Sequence, residues 1–153
     1  MVSGTKGSWQ SAIAVGFRAA AVGQMIAVLV QALLAGLALS GDASALSAHM
    51  ANGALALVIS LLQVLFAVPL RISNHLPRWA LVASLGLLLS EGVQMASGRL
   101  HMFAVHLPLG LALFAGLVSV VFYVRAADAV TPSESGQLAV RSALVKLPAG
   151  GKS

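Results

Sequence analysis

The chain contains 153 residues, of which 59% are hydrophobic and only 8% are charged, and its formal net charge is +5. Soluble domains carry about 25% charged residues, so the composition indicates an integral membrane protein with one compact domain. The Lys and Arg residues stand singly at the ends of apolar runs, which argues against a nucleic-acid-binding face. The chain has no cysteine, which excludes disulfides, Fe–S clusters and thiolate metal ligands.

The first apolar run covers residues 19–39 and follows a polar segment, residues 1–18, that we expect to be cytoplasmic. About 20 apolar residues span a hydrocarbon core of roughly 30 Å. The segment Ala43-Ser44-Ala45 resembles a signal-peptidase cleavage site. However, the run is longer than the roughly 7–15 apolar residues of a signal peptide, so we predict a membrane-spanning helix.

Three further apolar runs complete the predicted membrane domain, residues 19–125. They cover residues 49–70, 79–97 and 102–124. Four such runs, joined by short polar connections, predict an all-α, up-down four-helix bundle in the lipid bilayer. The remaining residues, 126–153, form a polar tail. Residues 140–147 of this tail form either a short helix on the inner membrane surface or part of a disordered segment, and the sequence is compatible with both.

The distribution of positive charge predicts the orientation of the bundle. With the N-terminus inside, eight of the nine Lys and Arg residues lie on the cytoplasmic side, and Arg99 alone lies on the outer side. Cytoplasmic segments of membrane proteins carry an excess of Lys and Arg. We therefore predict a multi-pass protein of a bacterial cytoplasmic (inner) membrane with both termini in the cytoplasm.

Polar residues recur at corresponding places in the two halves of the predicted bundle. The segment Gln31–Gly36 near the end of the first helix resembles Gln94–Gly98 at the end of the third. His49–Gly53 at the start of the second helix matches His106–Gly110 at the start of the fourth. This repeat predicts two helical hairpins related by a pseudo-two-fold axis.

The two repeated histidines are the strongest candidates for chemistry. Each precedes a glycine by one helical turn, so His49 and Gly53, like His106 and Gly110, share a helix face with room for a large flat group. The second and fourth helices run parallel and can lie on a diagonal of roughly 12–14 Å, given packing distances of 8–10 Å between neighbours. Two imidazoles at equal depth could then hold one heme iron. For each ring, the alternative is a histidine that merely reaches the membrane interface.

Paired histidines at the outer ends of the second and fourth helices resemble one half of heme A synthase, a pseudo-symmetric protein of two four-helix bundles. A family of small, uncharacterised bacterial four-helix membrane proteins is also similar, through the pattern Gln31–Gly36, His49–Gly53, Gln94–Gly98 and His106–Gly110. The resemblance covers about residues 15–125 and implies a heme-binding bundle. In heme A synthase a glutamate near the catalytic heme takes part in oxidation. Glu91 lies on the third predicted helix rather than the first, so that role is not carried over.

Glu91 is expected to face the bundle interior, because a carboxyl group in hydrocarbon is costly. It is a candidate proton acceptor beside a redox cofactor, or alternatively a structural hydrogen-bonding group, with His101, His106 or Arg99 as partners. His101 lies about 140° around the helix from His106, so we expect His101 and Arg99 to contact a heme propionate or the interface. The alternative axial ligands are Met50, Met95 and Met102.

The sequence favours a membrane cytochrome that binds one heme b through His49 and His106 near the outer face. It would transfer electrons or serve as a heme-bearing subunit of a membrane redox complex. The expected partners are the bilayer, a membrane redox protein or a quinone, and an oligomer or larger complex. Two alternatives stay open: a Zn or Cu site without porphyrin, built from outer-side His residues with Glu91 or Asp42, and a structural assembly subunit. Whether the protein is an enzyme is left open.

Overall fold

The computed structural model describes the backbone of residues 5–130 and the side chains of residues 9–126. Within this part the chain is entirely helical, with no strand. The helices are α1 (Thr5–Leu39), α2 (Ala43–Ile72), α3 (Arg78–Arg99) and α4 (Phe103–Val130). All four are long and apolar enough to cross a membrane, so the predicted all-α, four-helix membrane fold is confirmed. The predicted surface helix at residues 140–147 lies outside the described residues.

The distribution of polar and apolar side chains is the reverse of that in a soluble domain. Large apolar side chains cover the outer surfaces of the helices, among them Leu33, Leu89, Leu111 and Phe122. Polar side chains lie in the interior, including Gln24, Gln63 and Glu91. A soluble monomer rarely exposes apolar area on this scale, whereas polar groups in a membrane bundle turn inward to find partners. The packing therefore agrees with a bilayer as the solvent.

The turn between α1 and α2 starts the second helix earlier than its apolar run predicts. Asp42 is the N-cap, and its Oδ1 accepts hydrogen bonds from the backbone N–H of Ser44 (2.9 Å) and of Ala45 (3.1 Å). Gly41 precedes it with a φ of +100°, a left-handed conformation that glycine adopts without strain. Helix α2 consequently begins at Ala43, and His49 lies in its second turn rather than at its first residue.

The other two connections are also short. Residues 100–102 join α3 to α4, with His101 at a φ of 57°. This turn lies at the same end of the bundle as the α1–α2 turn, and we call that end the double-turn end. Residues 73–77 join α2 to α3 at the opposite end. His75 lies there in the loop, exposed, and its Nδ1 bonds to the carbonyl oxygen of Ser73 at 2.8 Å.

Glycines allow the helices of each hairpin to approach closely. A Cβ atom placed on Gly16 of α1 would lie only 2.9 Å from the ring of Phe66 on α2. In the second hairpin, a Cβ on Gly116 of α4 would lie 3.3 Å from a methyl group of Leu87 on α3. A methyl group at Gly16 would force the Phe66 ring to move, and one at Gly116 would require a smaller shift of the Leu87 side chain. The two glycines therefore mark where the helices of each hairpin pack closely.

We predict that Asp42→Ala lowers the thermal stability of the protein, because it removes the acceptor for two N–H groups at the start of α2. The hydrogen bond from the Ser44 hydroxyl, followed by those from the two backbone N–H groups, lowers the pKa of Asp42. A lowered folded-state pKa adds stability above the ordinary aspartate pKa, and this contribution is lost as pH falls through the lowered value. Thermal unfolding followed by circular dichroism at several pH values measures both effects.

Asp42→Asn is the matched control, because asparagine keeps the acceptor oxygen but not the charge. At neutral pH it should be less stable than the wild type and more stable than the alanine variant. The difference between wild type and Asp42→Asn should disappear at acid pH. A difference that is constant with pH would show that the charge of Asp42 does not contribute.

Candidate functional site

His49 forms hydrogen bonds to the preceding helix, α1, through both ring nitrogens. Its Nδ1 lies 3.1 Å from the backbone carbonyl oxygen of Gln31 on α1, and its Nε2 lies 3.2 Å from the side-chain Nε2 of the same residue. A carbonyl oxygen can only accept, so Nδ1 carries the proton and donates. In the neutral ring Nε2 is then an acceptor, and the Gln31 amide donates to it. This is the tautomer in which Nε2 presents a lone pair.

Asn52 fixes the orientation of the Gln31 amide. Its Nδ2 donates to the Gln31 Oε1 at 2.6 Å and to the backbone carbonyl oxygen of Ala27 at 2.8 Å. With Oε1 occupied as an acceptor, the Nε2 side of the Gln31 amide is turned toward His49. Asn52 is a site residue that the sequence analysis missed. The only sequence signal for a role of Asn52 was its position one residue before Gly53. Its hydrogen-bond partner could not be predicted, because it depends on how α1 packs against α2.

His106 makes the corresponding contact in the second hairpin. Its Nδ1 donates to the backbone carbonyl oxygen of Gln94 on α3 at 2.9 Å. The hydroxyl of Ser97 donates to the same carbonyl oxygen at 3.0 Å and lies 3.4 Å from Nδ1. Nε2 of His106 has no hydrogen-bond partner within the described chain. Both histidines therefore have the same tautomer, with the proton on Nδ1 and the lone pair on Nε2.

The two imidazoles meet in the bundle near its double-turn end. The ring centres of His49 and His106 are 6.1 Å apart, and the ring planes are inclined by 58°. Metal–nitrogen bonds of about 2.0–2.1 Å would place the centres of two opposed imidazoles roughly 6 Å apart across one metal ion. The predicted similar depth of the two histidines in the membrane stays a prediction, and the short distance shows that their rings lie close together. The separation suits two ligands of a single metal ion.

The space beside the two repeated glycines is occupied by glutamine amides. A Cβ on Gly53 would lie 3.0 Å from Nε2 of Gln31, and a Cβ on Gly110 would lie 2.9 Å from Nε2 of Gln94. Each glycine thus admits the glutamine of the preceding helix, which is the same residue whose carbonyl holds the histidine. A contribution of Gly53 and Gly110 to cofactor binding stays a prediction.

The absence of a side chain at Gly98 leaves room for the His106 ring. A Cβ on Gly98 would lie 2.9 Å from Cε1 and 3.1 Å from Nδ1 of the ring. The sequence repeat matched Gly98 with Gly36, but a Cβ on Gly36 would have no atom within 4 Å. The two glycines are therefore not equivalent, because Gly98 follows its glutamine by four residues and Gly36 follows by five.

The hairpins differ at one position of the repeat. Leu109 stands three residues after His106, where Asn52 stands three residues after His49. No side chain therefore bonds to the amide oxygen of Gln94, and Gln94 Oε1 is buried without a partner among the described residues. The histidine, the glutamine and the glycine are repeated, but the residue that orients the amide is not.

The structure does not bring His101 and Arg99 to the histidine pair through any hydrogen bond in its described part. His101 is exposed, and its ring meets the edge of Phe103 with 6.1 Å between centres. Arg99 is exposed at the last residue of α3. Met50 and Met102 are also exposed. Propionate contacts from His101 and Arg99 stay a prediction.

Glu91 faces the interior, as predicted, and is 4% exposed. Its Oε1 accepts a hydrogen bond from Nε2 of Gln24 on α1 at 3.3 Å. The partner is thus a glutamine on α1 and not one of the residues near the turn. Glu91 is seven residues before Gly98, so it lies about 10 Å along α3 from the level of the histidines.

Comparison of the chain with protein-family models, curated proteins and solved structures found no match. Among the described residues, no group of three or more His, Asp and Glu side chains could hold a metal ion. The site is therefore defined by its own geometry, as a pair of imidazoles with matching tautomers.

We predict that Gly98→Ala lowers the free energy of unfolding by about 1–3 kcal/mol, the usual cost of overpacking a core. The added methyl group would lie within 3 Å of the His106 ring, which is anchored on Gln94 and cannot move aside freely. Gly92→Ala on the same helix is the control, since a Cβ there meets no atom within 4 Å. That variant should gain up to about 1 kcal/mol from helix propensity. Equilibrium unfolding in detergent measures the free energy of unfolding of each variant. An equal change in the two variants would contradict the close contact between Gly98 and His106.

Proposed function

We propose that this protein is a membrane cytochrome in which His49 and His106 are the two axial ligands of a single heme b. The observation that carries the proposal is the pairing of the two rings 6.1 Å apart, each with its Nδ1 proton on a backbone carbonyl oxygen. Metal-ligating histidines almost always donate their other ring N–H to such a group, which fixes the tautomer and orients the ring.

The number of ligands favours heme over an isolated metal ion. A porphyrin supplies four nitrogen atoms, so an iron within it needs only two further ligands from the protein. Structural zinc takes four protein ligands and catalytic zinc takes three. The part of the chain that the structure describes offers no group of three His, Asp or Glu residues. The pair formed by His49 and His106 is sufficient for heme and insufficient for an ordinary zinc site.

If heme is bound, His49 and His106 would hold it, and the heme would supply one-electron transfer. The residues of this chain hold and orient the ligands. The carbonyl oxygens of Gln31 and Gln94 keep the proton on Nδ1, which leaves Nε2 able to ligate. The Gln31 amide would give up its bond to His49 Nε2 when the ligand position is used, while Asn52 continues to hold its Oε1. A site with both axial positions filled suits electron transfer better than binding of a substrate to the iron.

The charge asymmetry of the chain supports an orientation for this site. In the sequence, eight of the nine Lys and Arg residues fall in the segments predicted to be cytoplasmic, and Arg99 alone falls in a segment predicted to be on the outer side. By the positive-inside rule the termini are cytoplasmic and the histidines lie near the outer face of a bacterial inner membrane. Electrons would then be exchanged near the outer surface, with a membrane redox protein or a quinone, or within a larger complex.

A structural assembly subunit is the second candidate, and one observation favours it. The bonds of His49 to Gln31 and of His106 to Gln94 join the helices of each hairpin without any metal. Interhelical hydrogen bonds of this kind contribute about 0.6 kcal/mol on average in a membrane protein. In that case the histidines would be needed for stability alone.

We predict that His49→Ala and His106→Ala each abolish the low-spin heme spectrum of the purified protein, because each removes one of two axial ligands. His101→Ala and His75→Ala are the controls, since both rings are exposed and outside the pair. They should retain the spectrum in full. Visible absorption and heme content per chain are the measurements.

Three outcomes would contradict this assignment. Loss of heme in His101→Ala with retention in His106→Ala would place the site on another face of α4. Heme-free wild-type protein from heme-supplied cells, with stability lost in His49→Ala and His106→Ala, would favour the assembly subunit. Bound zinc or copper without a Soret band would instead favour the metal site without porphyrin.

We predict that Glu91→Gln reduces the pH dependence of the heme midpoint potential. A carboxylate about 10 Å from the ligand level can accept a proton as the iron gains an electron, which makes the potential fall with rising pH. The slope is at most about 59 mV per pH unit for one proton and one electron. Potentiometric titration at several pH values between about 5 and 9 measures the slope in the wild type and in Glu91→Gln. An unchanged slope in Glu91→Gln would leave Glu91 as a structural group that holds Gln24.

A further inference from the structure

Four buried polar atoms have no hydrogen-bond partner among the described residues, and three of them belong to fully buried side chains in the core of the bundle. These three are the side-chain oxygens Oε1 of Gln24, Oγ of Ser60 and Oε1 of Gln63. These side chains are 0%, 1% and 0% exposed, respectively. Buried polar atoms in folded proteins nearly always have a partner, either from the protein or from ordered water. Three such atoms in one small region therefore point to something that the protein itself does not supply.

Two of the three residues, Gln24 and Gln63, each form a hydrogen-bonded pair through their Nε2 groups. Nε2 of Gln24 donates to Oε1 of Glu91 at 3.3 Å. Nε2 of Gln63 donates to Oγ of Ser84 at 3.1 Å. Glu91 and Ser84 are seven residues apart on one face of α3, a rise of about 10 Å. The two pairs thus mark the ends of a short polar row.

Ser60 lies within this interval. It is three residues from Gln63 on the same face of α2, about 4.5 Å nearer the double-turn end. Gln24 is at a similar level of α1, because a Cβ on its neighbour Gly23 would lie 4.0 Å from a methyl carbon of Ile59. The three residues therefore lie within about two helical turns of one another along the bundle axis.

The donors that remain in the described core are the Ser60 hydroxyl and the second N–H of each glutamine amide, and none of them makes a hydrogen bond to these oxygens. The hydroxyl of Ser84 already donates to the backbone carbonyl oxygen of Ala80 at 2.8 Å. The Nε2 groups of both glutamines already donate to Glu91 and Ser84. Water is the smallest donor that can bind to several acceptors, and a buried water molecule typically makes about three hydrogen bonds to such groups.

We propose that ordered water binds to Gln24, Ser60 and Gln63 and forms a hydrated row from the Glu91–Gln24 pair to the Gln63–Ser84 pair. Glu91 is the single ionisable residue among the buried side chains of the described part. The row would hydrate the region next to its carboxyl group, which is otherwise enclosed by the bundle. Toward the α2–α3 loop the buried core is apolar, with Ala67, Leu70 and Leu76. The row is closed at that end. This inference does not depend on heme.

The first test is water-edited solid-state NMR of the full-length protein in lipid bilayers, with glutamine labelled at the side-chain nitrogen. Magnetisation from water should reach the amides of Gln24 and Gln63 much faster than it reaches Leu117 and Val120, which are buried and apolar. Equal, slow transfer to all four residues would overturn the proposal, because it would mean that the amides are dry or pair directly with each other.

The second test is the sign of the stability change in Ser60→Ala. If water binds Ser60, the variant loses that partner, and the midpoint of thermal unfolding should fall by a few degrees. If the hydroxyl is dry and unpartnered, its removal relieves an unfavourable burial, and the midpoint should rise. Ser119→Ala is the matched control, since that hydroxyl is exposed and bonds within its own helix to Ala115 at 2.9 Å. Its midpoint should change little. A rise in Ser60→Ala beyond the control overturns the proposal.

Discussion

The site depends on two hydrogen bonds, each from a histidine Nδ1 to a backbone carbonyl oxygen of the preceding helix. His49 bonds to Gln31 and His106 bonds to Gln94. In hydrocarbon no water competes for these groups, so each bond determines where its ring points and which nitrogen carries the proton. Each bond joins the two helices of one hairpin. The packing of the two hairpins against each other brings the ring centres to 6.1 Å.

Around this pair, polar side chains within the bundle bond to one another across helices. Gln24 meets Glu91, and Gln63 meets Ser84. Glycines at the crossing points leave room for the glutamine amides and for one imidazole. Where the repeat is broken, a polar atom is left over: Leu109 replaces the asparagine of the first hairpin, and the amide oxygen of Gln94 has no partner within the described chain.

The sequence was sufficient to predict the architecture and the histidine pair, for physical reasons. Hydropathy determines which segments can cross a bilayer, so four apolar runs were enough to predict four helices. The repeated His49–Gly53 and His106–Gly110 predicted both rings at one depth. The helix bounds were less predictable, because Asp42 begins α2 well before its apolar run by capping two N–H groups.

The contacts that hold the rings were not accessible from the sequence. Whether Gln31 meets His49, Asn52 or neither depends on the register of α1 against α2, which side-chain packing sets to within one turn. Gly98 was noticed as part of a repeat, but its contact with His106 follows from the length of the α3–α4 turn. The glycine one turn after each histidine was predicted to clear space for a flat ring, and the structure places a glutamine amide there. Local spacing predicts which residues share a face, but not what the neighbouring helix presents to that face.

The most direct test of the central claim is the electron paramagnetic resonance spectrum of the oxidised, purified protein from heme-supplied cells. Two imidazole ligands on one iron predict a low-spin ferric signal at one heme per chain, accompanied by a sharp Soret band in visible absorption. A high-spin signal would mean that at most one of His49 and His106 binds the iron. The absence of heme would contradict the account altogether.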